Sequence, residues 1–409
     1  MSGTVVIAGG GQAGLQTAAS LRQNGFSGRI VLAGDEPGLP YQRPPLSKVY
    51  LTGQAGTDGI RLRGEDFFTD NAVELLRGER IVAIDRERRT VETASGTGIE
   101  YDDLVLALGS RNRELPVPGA DLDSVAGLRT VADADLLREA LGSVRRVVVV
   151  GGGFIGLEFA AAATDAGLSV TVVEALPRVM SRVVTERTSE FFTGVHRSLG
   201  VRVVLGAGVR RIVGENGAAT GVELDDGSVV PADLVVVGIG VRPNVELAEE
   251  AGLAVDDGIV VDGSLRTSDP NIFAIGDCAR FPSPHAGRPV RLESVQNAVD
   301  QARHVAAGLT GDAGAYDAVP WFWTDQGKVK LQIAGLTDGH DRTVVRGDQS
   351  EGKFSVFCYR GDELLGAESI GRATEHMAVR RILTAGAPLS PEQAADVDFD
   401  LKGYSKQVV

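Results

Sequence analysis

A chain of 409 residues and 42.8 kDa has room for two or three domains at roughly 150 residues each. Acidic residues outnumber basic ones by 55 to 41, and the net charge of −14 argues against a general binder of nucleic acid or anionic membranes, with local basic patches left open. The only cysteines are Cys278 and Cys358, with no CxxC, which excludes a disulfide framework, a cysteine-rich zinc site and a redox pair of neighbouring thiols.

Gly3 leads at once into an apolar β-branched run at 4–8, with no basic segment or cleavage-like site before it. Nowhere do about 18 uninterrupted apolar residues occur, so the sequence reads as a soluble cytoplasmic protein. The run at 4–8 has the look of a buried strand. Gly9-Gly10-Gly11-Gln12-Ala13-Gly14 follows, then a helical pattern to about residue 24 and a second strand at 29–33 ending at Asp35-Glu36. Arg86-Glu87-Arg88-Arg89 reads as a solvated hairpin turn, and a strand at 104–108 stops at Gly109. The opening order then recurs. A strand at 146–150 leads into Gly151-Gly152-Gly153-Phe154-Ile155-Gly156, a helix to about 166, and a strand at 169–173 ending at Glu174. Each is a βαβ unit, so the chain carries a duplicated nucleotide-binding unit, not a short-period repeat. Strands at 234–237 and 272–275 end at Gly238 and Gly276-Asp277, and a helix covers about 294–307. After Pro320 the pattern changes to alternating strands, such as 328–333 and 353–357, then a helix at 374–385. From Pro391 the sequence is acidic and tail-like. The expected fold class is α/β, with two Rossmann-like dinucleotide-binding domains plus a C-terminal α+β domain.

Gly9, Gly11 and Gly14 fit G-x-G-x-x-G. The first glycine allows the tight turn, the second lets the backbone approach a pyrophosphate, and the third lets helix and strand pack closely. Asp35, at the end of the second strand, is placed to accept ribose hydroxyls. Gly151, Gly153 and Gly156 repeat the pattern, with Glu174 as its acid. The plain alternative is two glycine turns without a ligand; two matches, each in its strand–helix context and each with a carboxylate, favour two dinucleotides. FAD with NAD(P)H is the economical pair.

Further motifs are LPYQRPPLSK (39–48), YDDLVLALGSR (101–111), GLRT (127–130), ADLVVVGIGVRPN (232–244), TSDPNIFAIGDCARF (267–281), RLESVQNA (291–298) and PWFWTDQ (320–326). On these, from the first strand to at least Met377, the chain resembles the FAD-dependent NADH:ferredoxin reductases of bacterial oxygenase systems, the family of putidaredoxin reductase, rhodocoxin reductase and biphenyl dioxygenase ferredoxin reductase. The stretch past about Pro391 is not matched. The resemblance implies a glutathione-reductase-like architecture. Residues 1–112 with 246–319 would bind FAD, 113–245 would bind NAD, and 320–409 would form the C-terminal domain.

The same resemblance implies FAD contacts from Gly9, Gly11, Ala13, Gly14, Asp35, Arg43, Lys48, Val82, Ala107, Arg129, Asp277 and Val295. Asp277 would hold the ribityl chain, a task suited to a carboxylate that accepts from hydroxyls; the alternative is a helix N-cap. Val295 is otherwise plain core. For NAD it implies Gly151, Gly153, Ile155, Gly156, Glu158, Glu174, Arg182 and Gly240. Glu174 would accept a 2′-hydroxyl and repel a 2′-phosphate, favouring NADH, while Arg178 and Arg182 follow closely enough to hold a phosphate. Glu158 would lie near the mouth of the site at the nicotinamide end, with Lys48 facing it across the flavin edge; the bland reading is a solvated helix-face carboxylate and a surface lysine. Lys48, Glu158 and Trp323 are the residues expected at the chemistry, Trp323 covering the flavin and Trp321 belonging to the core.

Related disulfide reductases carry cysteines after the first βαβ unit, where this chain reads Leu39-Pro40-Tyr41-Gln42-Arg43-Pro44-Pro45. With no thiol there, electrons must pass directly to an outside acceptor, and Cys278 reads as a small buried residue. The five histidines, 196, 285, 304, 340 and 376, show no ligand spacing, so no metal is expected. The implied reaction is hydride transfer from NADH to the flavin and delivery of single electrons to a [2Fe–2S] ferredoxin serving a cytochrome P450 or a ring-hydroxylating dioxygenase. Lys48 and Glu158 would tune and orient. Arg303 and Arg63 are the candidate docking residues for an acidic ferredoxin, or else solvated arginines. A monomer or weak dimer is expected. The alternatives are a same-scaffold reductase of monodehydroascorbate, a quinone or rubredoxin, and a redox-sensing flavoprotein like apoptosis-inducing factor.

Overall fold

Strand Thr4–Ala8 is apolar on both faces, with Val5, Val6, Ile7 and Ala8 all at most 1% exposed, which a central parallel strand requires. In the computed structural model, which describes residues 3–311 and 313–408, it sits third in a five-stranded sheet. The order is Ile272–Ala274, Asp103–Leu106, Thr4–Ala8, Arg29–Gly34, Val73–Arg77, all parallel. The helix Gln12–Gln23 follows the first strand, and the helix Val295–Thr310 packs along it through small residues, among them Ala13, Ala18, Ala298 and Ala302. This sheet belongs to one compact unit, formed by residues up to Gln42, Asp58–Arg111 and Arg242–Pro320. The same unit holds an antiparallel meander, Ile81–Asp85, Thr90–Thr93 and Gly98–Glu100, whose first turn is the arginine-rich one. Arg86 there is held by Asp269 at 2.8 Å instead of standing free in solvent.

A second compact unit comprises Arg43–Thr57, Asn112–Val241 and the described residues from Trp321 on. Its parallel sheet repeats the first, in the order Arg202–Leu205, Ser169–Glu174, Arg146–Val150, Leu234–Val237, Val125–Gly127. The helix Phe154–Asp165 follows the central strand. After Trp321 an antiparallel sheet runs Trp321–Gln326, Val329–Gly335, Glu363–Ile370, Lys353–Arg360, Arg342–Asp348, covered by the helix Ala373–Thr384.

The stretch beyond Pro391 corrects the sequence reading. It is not a tail. It forms the helices Pro391–Ala395 and Leu401–Gln407, and Ala394 and Leu401 enter the same core as Phe357, Tyr359 and Ile382. The buried Arg346 guanidinium holds the acidic link between them, donating to the carbonyls of Asp396, Val397 (3.0 Å) and Phe399 (2.9 Å). The acidic side chains are turn and cap formers: Asp400 accepts from the Gly403 N–H.

Candidate functional site

In the first unit the glycine loop has the shape that its spacing requires. Gly9 has φ +123°, and a Cβ there would come within 2.1 Å of the Ala107 carbonyl oxygen. A Cβ at Gly14 would fall 1.9 Å from the Gly9 oxygen, so helix and strand close only over glycine. A Cβ at Gly11 would meet nothing within 4 Å. The helix Gln12–Gln23 that starts there has no side-chain cap and no acid in its first turn. Uncapped N–H groups behind an open glycine are a cradle for a phosphate.

Asp35 is exposed at the strand end, 3.2 Å from Arg80, and Val82 is exposed on the meander. Asp277 lies in a short turn, Gly276–Cys278, and accepts from the Ser110 hydroxyl at 2.7 Å. The cap position of that turn is Ile275, so Asp277 is not an N-cap. Gly276, at φ +73°, is fixed by its N–H donating to the buried Gln301 side chain at 2.7 Å. Val295 is half-buried in the first turn of its helix, whose cap is Ser294. Ala13 and Ala107 are buried beside the loop. These donors, acceptors and glycine openings fit a dinucleotide such as FAD.

The second unit builds an equivalent cradle. Gly151 has φ +107°, and a Cβ there would lie 2.4 Å from the Gly238 oxygen; one at Gly156 would lie 2.3 Å from the Gly151 oxygen. The helix Phe154–Asp165 is again uncapped, with Gly153 at its cap position and Ile155 exposed in the first turn. Glu174 ends its strand and grips the loop: its carboxylate accepts from the N–H groups of Gly152 at 2.7 Å and Leu176 at 2.8 Å, one on each oxygen. Each oxygen keeps a lone pair for a further donor. Arg178 is spent on the carbonyls of Val184 and Ser181, so it does not project as a phosphate ligand. Arg182 is exposed, and its guanidinium would lie 3.5 Å from a Cβ at Gly240.

Glu158 gathers several partners in this unit and departs from the solvated reading. It is 5% exposed, so it is not a solvated helix-face carboxylate. Lys48 does not face it across a gap; the ammonium touches the carboxylate at 2.7 Å. Ser47 donates to the same oxygen at 2.6 Å, and Thr324 donates to the other at 2.6 Å, with the Asp325 N–H at 3.4 Å. Four donors and no acceptor suit an ionised carboxylate. Arg43, beside this turn, donates to the Arg129 carbonyl at 2.6 Å, and the Arg129 N–H donates to Asp133.

Along the strand Trp321–Gln326, parity separates the side chains. Phe322 packs on Phe154 at 4.6 Å, and Thr324 reaches Glu158. Trp321 and Trp323 lie together with ring centres 5.6 Å apart. Trp321 is half-buried and lies under the Arg380 guanidinium at 4.3 Å, so it is not the core residue expected. Arg303 and Arg63 are both exposed; Arg303 has Asp300 at 3.6 Å, and Arg63 lies over Phe67. Ser47, Ser110, Gln301 and Thr324 were missed from sequence. For Thr324 a signal existed, since strand alternation sets it opposite the tryptophans.

Both cysteines are free and buried. Cys278 donates to the Ile275 carbonyl at 3.3 Å, and burial pushes its thiol up to about 11. Two dinucleotide cradles, with no paired thiols among the described residues, define a pyridine-nucleotide oxidoreductase. Residues 3–302 match the pyridine nucleotide-disulphide oxidoreductase family and residues 321–405 the reductase C-terminal family, and the chain belongs to the former. The second match runs past Pro391, where the sequence reading stopped. Rhodocoxin reductase from Rhodococcus erythropolis is 54% identical over 399 residues, covering 98% of this chain and 93% of that protein. The crystal structure of the ferredoxin reductase for the CYP199A2 system from Rhodopseudomonas palustris superposes with a TM-score of 0.97 at 54% identity, covering 98% and 99% of the two chains. Putidaredoxin reductase, in its covalent complex with putidaredoxin, gives a TM-score of 0.96 at 41% identity, covering 99% of each. Among the described residues, no helix is long and apolar enough to cross a membrane.

Proposed function

We propose that this chain is an NADH:ferredoxin reductase. It carries FAD, takes its electrons from NADH and passes them to a [2Fe–2S] ferredoxin that serves a cytochrome P450 or a ring-hydroxylating dioxygenase, in the cytoplasm. The observation that carries the reading is the pair of glycine cradles, each opening an uncapped helix N-terminus, in a chain whose two thiols are buried and inert. Bound FAD supplies the exchange between a two-electron hydride donor and a one-electron acceptor.

The chain's own residues bind, orient and shield. Residues 1–112 and 246–319 form the FAD-binding domain, 113–245 the NAD-binding domain and 320–409 the C-terminal domain. Gly11, Ala13 and Gly14 present backbone N–H groups to the FAD pyrophosphate, Gly9, whose own N–H donates to the Ala33 carbonyl at 2.8 Å, makes the tight turn that brings them to it, Asp35 takes the ribose, and Asp277, oriented by Ser110, takes ribityl hydroxyls. Val82, Ala107 and Val295 complete that site. Gly151, Gly153, Ile155, Gly156, Arg182 and Gly240 form the NAD site. Glu174 accepts the ribose hydroxyls and repels a 2′-phosphate, so NADH is preferred to NADPH. Lys48 and Glu158 fix the charge at the nicotinamide end, and Trp323 excludes water from the flavin. Arg303 and Arg63 steer an acidic ferredoxin.

The test is turnover of purified, FAD-loaded protein with NADH against a panel of acceptors: a [2Fe–2S] ferredoxin, a rubredoxin, a quinone and monodehydroascorbate. The ferredoxin is expected to be reduced about tenfold or more faster than the others at equal concentration, a difference of about 1.4 kcal/mol in barrier. A faster rubredoxin or quinone reaction reassigns the acceptor. Protein that stays colourless when supplied with FAD removes the reading altogether.

A further inference from the structure

The reductase C-terminal family match begins at Trp321, outside the match to the dinucleotide-binding family. Yet its first strand reaches the NAD-side cradle at three successive inward positions. Phe322 packs against Phe154 with ring centres 4.6 Å apart, Thr324 donates to Glu158 at 2.6 Å, and Gln326 accepts from buried His196 at 2.8 Å while donating to the Met180 sulfur at 3.3 Å. Met180 in turn is tied to the glycine loop, its N–H donating to the Gly152 carbonyl at 2.8 Å, in a left-handed conformation at φ +50°. A strand pinned on both sides of Thr324 gives that hydroxyl a fixed direction. Thr324 itself is 0% exposed, so no water competes for its proton.

We infer that Thr324 is a positioning residue for the NADH half-reaction: its hydroxyl holds one oxygen of the Glu158 carboxylate while Ser47 and Lys48 hold the other, so the carboxylate cannot rotate. The inference rests on the proposed place of Glu158 at the nicotinamide end. The oxygen that Thr324 serves has only the Asp325 N–H, at 3.4 Å, as a further donor, so removal of the hydroxyl leaves it nearly unserved in a buried site. Threonine is β-branched and stiff at χ1, which suits a donor that must not wander.

The experiment compares Thr324→Val, which keeps shape and loses the hydroxyl, with Thr324→Ser, which keeps the hydroxyl, and with Glu158→Gln as reference. Flavin bleaching by NADH is followed anaerobically by stopped flow in the FAD-loaded protein, and NAD⁺ affinity by equilibrium titration. Thr324→Val should lower the limiting rate about tenfold or more, with NAD⁺ affinity within twofold of wild type, because misplacing a positioned group acts on rate more than on binding. Thr324→Ser should stay within about twofold of wild type on both. A crystal structure of Thr324→Val should show the Glu158 carboxylate turned from its present partners. If Glu158→Gln bleaches slowly while Thr324→Val bleaches at the wild-type rate, the positioning role is wrong and the reading of Glu158 stands. If Glu158→Gln bleaches at the wild-type rate, that reading falls and the inference with it. Equal slowing in Thr324→Val and Thr324→Ser means that shape matters and not the hydroxyl, which also overturns it. Should Thr324→Val fold poorly, Thr324→Ala tests the same hydroxyl without an extra methyl in its place, and it is expected to slow bleaching to the same degree; a wild-type rate there overturns the role.

Discussion

The Lys48 ammonium lies 2.7 Å from the Glu158 carboxylate, and the lysine side chain is 22% exposed where the glutamate is 4% exposed. This is a pair in which one partner is buried and depends on the other. Loss of the lysine leaves a carboxylate in the interior with two hydroxyls and a distant N–H. Breaking such a pair from one side costs about 3–5 kcal/mol when both partners are buried, and less here because Lys48 keeps some contact with water. Lys48→Met should therefore lower the unfolding midpoint clearly, whereas Lys48→Met with Glu158→Gln should recover much of the loss. A double-mutant cycle on denaturant unfolding measures the coupling. Strictly additive effects would contradict the pair as described.

The two βαβ units could be read from the sequence because their signals are local. Glycine spacing, a β-branched strand before it and an acid at the end of the next strand all lie within one short segment around Gly9 or Gly151. The Lys48–Glu158 contact could not be read that way. The two residues are far apart in the chain, and each has an ordinary solvated interpretation until tertiary packing buries the glutamate. The segment past Pro391 failed for a related reason. Its acids suggest solvent, but Arg346, in a distant strand, collects three of its backbone carbonyls, and that tertiary contact overrides composition. At Trp321 the error was one of surroundings: it shares its side of the strand with Trp323 and lies under Arg380, half-buried where core was expected.

Thiol chemistry should be irrelevant to turnover. Burial raises the Cys278 thiol to about 11 and raises the Cys358 thiol as well, so neither is a thiolate at neutral pH. Iodoacetamide should leave NADH-driven electron transfer unchanged in the folded protein and label both cysteines only after unfolding. The Cys278→Ala, Cys358→Ala double variant should keep its rate within about twofold, at some cost in stability from lost packing. Rapid inactivation by the reagent in the native state would show a thiol in the path.

The nicotinamide nucleotide preference should turn on Glu174. Its carboxylate accepts from the Gly152 N–H of the glycine loop, and on the proposed reading it is the negative charge that a 2′-phosphate would meet. Glu174→Gln removes the charge and keeps a carbonyl oxygen that can still accept from the loop. Its ratio of kcat/KM for NADH over NADPH should fall about tenfold or more, through better use of NADPH, a change of about 1.4 kcal/mol. An unchanged ratio would move the discrimination elsewhere, with Arg182 next in line.

Salt should act on the ferredoxin step and not on the NADH step. Arg303 is 63% exposed and 3.6 Å from Asp300, a weak surface pair that leaves its charge available to an acidic partner. Arg303→Glu should lower kcat/KM for ferredoxin several-fold at low ionic strength. The deficit should shrink as salt rises, because exposed charges are screened over about 10 Å at 0.1 M. Flavin reduction by NADH should be untouched. A loss that persists at high salt would mean a packing role for Arg303.

Acid should destabilise the C-terminal sheet through His376. Its ring is 1% exposed, neither nitrogen has a hydrogen-bond partner among the described residues, and burial, aided by the Arg380 charge, lowers its pKa to about 4. In the unfolded chain a histidine titrates near about 6.5. Above that value both states are neutral and the ring contributes nothing to the pH dependence. Between about 6.5 and about 4 the unfolded chain takes up the proton and the folded one does not, so stability falls as pH falls. The full loss by pH 4 is on the order of 3 kcal/mol. His376→Leu removes the titration and the unpaired nitrogens together. Denaturant unfolding, followed by tryptophan fluorescence, to which Trp321 beside the ring contributes, should give wild type and His376→Leu similar midpoints at pH 7.5, or a higher one for the variant. The two should then diverge toward pH 4, with the variant the more stable. His196 and His304 are also shifted downward by burial, so wild-type slope alone is not diagnostic. The difference between the two profiles is, and parallel curves would mean that the His376 ring titrates alike in the folded and unfolded chains.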